Sequence, residues 1–156
     1  MIEWGLYDAK DQILGRFCSQ IAKKVLLGER VVIINAKDAI ISGTKANIEE
    51  KYLARLGIST ATNPRRGPFW KRRPDTLMRA TIRKMLPRKK LRGKEALRRV
   101  HVYISDIPER FKKRYQQLNP SEINNANKTR LSSNKYVTLE TLCKRIGWNK
   151  HEQIEA

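Results

Sequence analysis

An unbroken run of β-branched residues, Val31 to Ile34, constrains the fold of this chain more than any other feature of its sequence. Such a run is typical of a strand that is buried on both faces, as in a parallel sheet. Apolar residues at helical spacing, from Leu14 to Leu26, precede the run and end at Gly28. A short strand candidate, Trp4–Asp8, opens the chain, so the order strand, helix, strand predicts a βαβ unit and an α/β fold.

The rest of the chain predicts further short elements around this unit. Ile40 and Ile41 suit a short strand, and the alternation from Val100 to Ile104 suits another. Helices are expected over residues 46–56, 76–86 (capped by Asp75 or Thr76), 96–97, after Asp106 and Pro108, and from a cap at Thr138 to Gly147. Residues 119–135 are polar and predict an irregular surface segment. Residues 1–149 are expected to form one domain and residues 150–156 a loose tail.

Positive charge is concentrated in the middle of the chain. The sequence has a formal net charge of +19, from 34 Lys and Arg against 15 Asp and Glu. Residues 59–100 carry 15 basic and 2 acidic side chains, whereas residues 1–58 carry 9 and 7 and residues 101–156 carry 10 and 6. Such an excess attracts a polyanion, either nucleic acid or an acidic membrane surface. Its position between two nearly balanced segments favours a nucleic-acid-binding surface mounted on a scaffold.

Several protein classes find no support in the sequence. No stretch approaches the roughly 18 apolar residues that cross a bilayer, and the N-terminus lacks the basic and apolar regions of a signal peptide, so we expect a protein of the cell interior. The two cysteines, Cys18 and Cys143, lie within helical apolar patterns and are interpreted as small buried hydrophobic residues. With no CxxC pair and only two histidines, neither a disulfide nor a metal site is expected.

The most specific motif runs from Asn63 to Pro74. It interleaves five cations with the adjacent aromatics Phe69 and Trp70, and prolines and Gly67 brace it as a loop. Guanidinium groups can make bidentate contacts to phosphates, and aromatic rings can stack on unpaired bases. The motif therefore predicts contact with nucleic acid, and leaves open whether the two aromatic rings stack on bases or dock on the core.

A second basic stretch runs from Arg79 to Lys94. It joins the flank of a helix whose apolar positions are Met78, Ile82, Met85 and Leu86 to a loop, residues 88–93, that follows Pro87. Many phosphate contacts would make affinity fall steeply with salt. An amphipathic helix on an acidic membrane is the alternative, but an apolar face of three turns suits an ordinary core.

Sequence support for catalysis or nucleotide binding is weak. Ser42-Gly43-Thr44-Lys45 has the order Gly-Thr-Lys, and no upstream glycine completes a P-loop pattern. A turn before a helix can still hold an RNA phosphate, which brings Lys45 into the candidate surface. His101 lies in an apolar run and His151 in the tail, and no carboxylate pair reads as an acid and a base.

Several motifs occur in an order that resembles the thirteenth large-subunit ribosomal protein family, in its archaeal and eukaryotic form. They are Asp8-Ala9, Ile13-Leu14-Gly15-Arg16, Val31 to Ala36, Ile41-Ser42-Gly43, Asn63 to Pro74, Met85-Leu86-Pro87, Arg92-Gly93, Ala96-Leu97, Val102-Tyr103-Ile104 and Ile107-Pro108. The resemblance covers roughly residues 6 to 110, and Leu142 to Trp148 is similar to the C-terminal helix of that form. Trp70, Lys84 and Ser105-Asp106 depart from the usual residues.

The resemblance implies a three-layer α/β/α domain with a four-stranded parallel sheet and basic loop extensions. It also implies a structural, non-enzymatic constituent of the large ribosomal subunit in the cytoplasm, without cofactors. Its expected partners are large-subunit rRNA and neighbouring large-subunit proteins, with no membrane and no small-molecule substrate. The predicted RNA-contact residues are Arg65, Arg66, Phe69, Trp70, Lys71, Arg72, Arg73, Arg79, Arg83, Lys84, Arg88, Lys89, Lys90, Arg92, Lys94 and Lys45. Two alternatives stay open, a free-standing regulatory RNA- or DNA-binding protein and a nucleotide-binding α/β enzyme.

Overall fold

Three parallel strands form the main sheet in the computed structural model, which describes residues 4–115, 118, 120, 121, 123, 126–131 and 135–149. In chain order the elements are β1 (Trp4–Asp8), α1 (Leu14–Leu27), β2 (Arg30–Ile34), β3 (Ile40–Ser42), α2 (Lys45–Gly57), α3 (Pro74–Met85), α4 (Leu91–Arg98), β4 (Val100–Val102), α5 (Glu109–Tyr115), β5 (Tyr136–Thr138) and α6 (Leu139–Arg145). Single 3-10 turns lie at Ala36–Asp38, Pro64–Arg66 and Lys128–Arg130.

The predicted βαβ unit is confirmed. Strand order in the main sheet is β1-β2-β4, with Leu6 opposite Val32 and Val32 opposite His101, all in parallel register. The central strand is β2. Its β-branched residues are buried because a strand lies on each side of it and apolar side chains pack on both of its faces. Helix α1 ends at Gly28, which takes a positive φ of 113° that glycine adopts at low cost.

The expected four-stranded parallel sheet is only partly present among the described residues. The strand predicted at Ile40 and Ile41 forms as β3, but it pairs antiparallel with β5, with Ile41 opposite Val137. The chain leaves the main sheet directly after β2, because Asn35 adopts a positive φ of 55° and a 3-10 turn follows. At the open edge of β1, one residue, Ser121, forms a parallel bridge with Tyr7.

Two apolar clusters lie on opposite faces of the sheet. Val31 and Ile33 point into the larger cluster, which contains side chains from α1, α2, α3, α4 and α6. Leu6, Val32 and Ile34 point into the smaller one, which Tyr115 of α5 covers. Alternation along β2 therefore buries both faces of the strand. Each buried aliphatic side chain contributes about 1.5–3 kcal/mol to folding.

Helix boundaries in the basic middle of the chain differ from the prediction. Pro74 occupies the first turn of α3, so this helix starts before Asp75 and Thr76, the predicted caps; proline suits this place because the first-turn N–H has no helical partner. Helix α4 begins at Leu91, inside the predicted loop. Met85, expected on the apolar face of α3, is 41% exposed, whereas Met78 and Ile82 are fully buried.

The predicted C-terminal helix and its cap are confirmed. Thr138 caps α6 by accepting a hydrogen bond from the Thr141 N–H, and Gly147 follows with a positive φ of 90°. Cys18 and Cys143 are buried free thiols, as predicted, and burial raises the pKa of each to about 12. The predicted tail at residues 150–156 lies outside the described residues, as do residues 119, 122, 124, 125 and 132–134 of the polar segment 119–135.

Candidate nucleic-acid interface

Residues 59–100 form a surface whose helices are anchored in the core. Leu77, Met78 and Ile82 of α3 and Ala96 of α4 belong to the same cluster as the buried face of α1. The opposite faces and the connecting loops carry the charges. All thirteen predicted contact cations of this segment are exposed: Arg65, Arg66, Lys71, Arg72, Arg73, Arg79, Arg83, Lys84, Arg88, Lys89, Lys90, Arg92 and Lys94. The sequence folds so that its positive charge faces outward from a fixed support.

The loop that precedes α3 is more ordered than its prolines suggested. The Asn63 side chain accepts from the Arg65 N–H at 3.1 Å, and the Gly67 N–H donates to the Pro64 carbonyl at 3.2 Å. These bonds form a capped 3-10 turn within the stretch that the sequence predicted to be a loop. Thr60 also donates its hydroxyl to the Asn63 carbonyl. Arg65 and Arg66 are thereby presented from a short rigid turn.

The two adjacent aromatic residues take different positions. The Trp70 ring contacts two cations, with the Arg55 guanidinium 5.6 Å and the Lys84 ammonium 5.3 Å from the ring centroid. Both separations are in the range of a cation–π contact. Phe69 is 73% exposed, against 36% for Trp70. Trp70 therefore ties the loop to α2 and α3, while Phe69 presents its ring to solvent.

Three of the predicted contact arginines also have partners within the chain. Arg73 forms a two-point ion pair with Asp75, at 3.2 and 2.9 Å. Arg79 and Arg92 each donate one N–H at 3.4 Å to the carbonyl of a residue near a helix end, Leu97 and Leu26 respectively. Cations are favourable at helix C-termini, where carbonyls lack helical partners. A carbonyl does not neutralise an arginine, so Arg79 and Arg92 keep their positive charge.

Two further cations belong to this surface although the sequence did not single them out. Arg99 is half-buried and donates to the Val25 carbonyl at 3.3 Å, which joins the end of α4 to the end of α1. Arg55 contacts Trp70 from a helix 15 positions earlier in the chain. No local pattern announces either contact, because each depends on how helices pack.

The side chain of Arg72 extends to the end of α6. A Cβ atom built on Gly147 would lie 3.1 Å from Nη1 of Arg72, so this guanidinium rests close to the glycine backbone. The basic loop thus meets the C-terminal helix, which the charge count had assigned to the nearly balanced part of the chain.

Lys45 lies apart from these groups. It opens α2 and forms an ion pair with Glu49 at 3.9 Å, one turn along the helix. Arg55 follows ten residues later, which corresponds to about 15 Å along a helix axis. The structure therefore does not bring Lys45 together with Trp70, and Lys45 marks a separate point of positive charge.

The carboxyl ends of the parallel strands, where α/β enzymes bind ligands, are tied together by internal hydrogen bonds. The Asp8 carboxylate accepts from the Lys10 backbone N–H at 2.9 Å and from the Asn35 amide at 3.0 Å. The N–H groups of Asn35, Ala36 and Lys37 donate to carbonyls of residues 103–105. These hydrogen bonds occupy polar groups of residues 8 and 35–37 at this edge.

Neither a helix that could span a membrane nor a metal-binding cluster is found in the described part of the chain. None of its helices has the length and apolar character that a membrane span requires. No three His, Cys, Asp or Glu side chains are grouped there as a metal site would need.

Comparison with known proteins identifies the family. Residues 2–109 match the family model described as ribosomal protein L13. The large ribosomal subunit protein uL13 of Methanocaldococcus jannaschii is 42% identical over 143 residues, covering 90% of this chain and 95% of the relative. Those of Methanopyrus kandleri and Haloarcula marismortui are each 38% identical, covering 94% and 93% of this chain and 88% and 92% of the relatives. The chain therefore belongs to the ribosomal protein L13 family, which is a family of ribosomal proteins and not of enzymes.

Proposed function

We propose that this protein is a structural constituent of the large ribosomal subunit in the cytoplasm, where it binds large-subunit rRNA and supports subunit assembly. Family membership supports the first part, since the relatives are named as proteins of the large subunit. Residues 1–149 act as one rRNA-binding domain, and neighbouring ribosomal proteins complete its surroundings. No catalytic step is part of this function.

The observation that carries the RNA-binding surface is the outward placement of the thirteen predicted cations of residues 59–100. Because the support fixes the backbone before binding, its cations can reach several phosphates without a large loss of backbone conformational entropy. Phosphate contacts position the protein, and the shape of the folded rRNA selects the site. The Arg73–Asp75 ion pair is no obstacle, since exposed pairs contribute only about 0–1 kcal/mol and a phosphate can compete.

Fractionation of a cell lysate tests the ribosomal assignment. The protein is expected to sediment with large subunits at low salt. Its absence from that fraction would overturn the assignment. Competition between rRNA fragments and duplex DNA at physiological salt tests whether the protein is instead a free-standing regulator. Equal binding of the two polymers would favour that alternative.

Replacing Arg72 and Arg73 with Ala tests the surface itself. We expect weaker binding to rRNA and a shallower dependence on salt, because two cations are removed from the loop. The fold is retained, which circular dichroism checks. A matched control replaces Lys10 and Lys23, two exposed cations outside the segment, with Ala. Equal binding by the Arg72/Arg73 variant and the unchanged protein would move the RNA surface elsewhere.

A further inference from the structure

A cleft of about 410 Å³ lies between the end of α3 and the start of α4. Six residues line it: Lys84, Leu86, Pro87, Arg88, Lys89 and Lys90. Four of them are exposed cations, and no carboxylate is among the lining residues. Concave walls of low dielectric focus the field of such charges, so an anion is attracted more strongly here than to the same charges on a flat surface.

Backbone contacts hold the walls of this cleft in place. The Lys90 N–H donates to the Pro87 carbonyl at 3.1 Å, which closes a tight turn between the two helices. Gly93, in the first turn of α4, is buried against the same carbonyl, and a Cβ atom built there would lie 2.2 Å from the Pro87 oxygen. A glycine at this position is what allows α4 to start directly beside Pro87.

The lining combines two kinds of chemistry. Leu86 is nearly buried and Pro87 is exposed, so the cleft has an apolar floor that the proline ring completes. The carbon chains of the lysines extend this apolar surface, while their ammonium groups reach solvent at the rim. A bare phosphate would use the rim and leave the floor uncovered. Volumes of roughly 300–1,000 Å³ are typical of sites for small molecules, so the cleft can hold more than an ion.

We propose that this cleft receives a single unpaired nucleotide of the rRNA, with its base against Pro87 and its phosphates on the four rim cations. The inference rests on the proposed rRNA binding and deepens it. Bases in loops and bulges of RNA are free to be splayed out onto a protein surface. Lys84 belongs both to this rim and to the cation–π contact with Trp70, so the cleft and the loop carrying Phe69 adjoin.

The test uses the full-length protein and three soluble probes: inorganic phosphate, ribose 5-phosphate and adenosine 5′-monophosphate. Binding is followed by NMR shifts of the Leu86 methyl groups and of the backbone N–H groups of residues 88–90. The nucleotide is expected to bind roughly fivefold more tightly than ribose 5-phosphate, the effect of removing about 40 Å² of apolar surface from water. Equal binding of the two would overturn the nucleotide cleft. Salt-dependent binding of rRNA, measured on the same sample, would then still support the proposed function.

Two variants locate the effect within the cleft. Pro87→Ala is expected to remove the preference for the nucleotide while ribose 5-phosphate still binds. Lys89→Gln combined with Lys90→Gln is expected to weaken the binding of both probes, whereas Lys10→Gln with Lys23→Gln, an equal loss of charge outside the basic segment, leaves their binding unchanged. If the control pair weakens the nucleotide as much as the cleft pair, net charge explains the binding and the proposal fails. Should Pro87→Ala disturb the fold, the preference of the unchanged protein for the nucleotide and the two charge-matched pairs decide together.

Discussion

Lys24 in the first third of the chain and Arg92 in the middle third both lie at the surface, yet their partners differ. Lys24 donates to the Tyr7 hydroxyl at 2.7 Å, and that hydroxyl donates to Glu29 at 2.5 Å, so β1, α1 and the start of β2 are joined by a compensated set of charges. Arg92 donates to a backbone carbonyl of α1, and its charge remains uncompensated by that contact. Lys24 thus takes part in contacts that hold the first third of the chain together, whereas Arg92 adds an uncompensated positive charge to the middle third.

The balance of cations and carboxylates in a segment decides what its cations contact. Residues 1–58 hold nearly equal numbers of cations and carboxylates, so ion pairs can form locally. Residues 59–100 hold only two carboxylates, Asp75 and Glu95, so few of their cations can form ion pairs within the segment. Arg73 pairs with Asp75, whereas Arg79 contacts a carbonyl and Lys84 an aromatic ring. A segment of this kind requires a support that it does not stabilise by its own charges. The support is the apolar face that α3 and α4 share with α1.

The largest effect is expected from weakening the apolar contact between α3 and the core. Ile82 is fully buried in α3, and Ile82→Ala is expected to lower the free energy of unfolding by about 2–5 kcal/mol through lost burial and a residual cavity. Urea denaturation measures the loss. The exposed neighbour provides the control, since Arg83→Ala should stay within about 0.5 kcal/mol. Comparable small effects from both variants would mean that the basic segment does not share the core.

Removing three cations from the basic segment and removing three from residues 1–58 are expected to affect rRNA binding differently. Replacing Arg88, Lys89 and Lys90 with Gln is expected to reduce the slope of log affinity for rRNA against log salt by about 2–3, since each lost phosphate contact removes about 0.7–0.9. The matched variant replaces three exposed cations of the first 58 residues, Lys10, Lys23 and Lys51. Filter binding over a series of salt concentrations compares the two. The same loss of slope in both would show that total charge, and not its location, sets the affinity.

An alkaline titration addresses the interior of the support. Burial raises the pKa of the Cys18 thiol from its ordinary value of 9.0 to about 12. The unfolded chain therefore releases this proton near pH 9 while the folded chain retains it. This contribution to stability is complete below pH 9 and is lost as the pH rises from 9 towards 12, by about 1.4 kcal/mol per unit. Urea denaturation at pH 8 and pH 10 should show a smaller decline for Cys18→Ala than for the unchanged protein, and an equal decline would refute the assignment to this thiol.

An effect of similar size is expected where the basic loop meets α6. Gly147→Ala places a side chain at a φ of 90° and close to Arg72, so we expect a loss of about 1–2 kcal/mol in stability. Gly15→Ala is the control, because Gly15 lies inside α1 with open space around it and alanine favours a helix there. Thermal denaturation should lower the midpoint for the first variant and raise it for the second. A midpoint that does not fall for Gly147→Ala would remove the evidence for a contact at Arg72.

Local patterns in the sequence were sufficient for the βαβ unit, for the buried thiols and for the cap at Thr138. Each follows from residues within one element, where side-chain spacing and backbone preference act together. The partner of β3 was not predictable in the same way. Strand pairing joins Ile41 to Val137 across almost a hundred residues, and a three-residue run contains no information about its register or direction.

In the candidate surface, too, the sequence predicted one part and the tertiary structure decided the other. Composition by itself located the positive charge in residues 59–100, because the two acidic residues there cannot offset fifteen cations whatever the fold. The packing of α3 and α4 on α1 decided which cations face solvent, that Lys84 joins Arg55 at Trp70, and where Pro87 and four cations line a cleft. These are distances between residues far apart in the chain or on separate helices. They are set by the burial of apolar side chains, which fixes how the elements pack but leaves no local signature in the charged sequence itself.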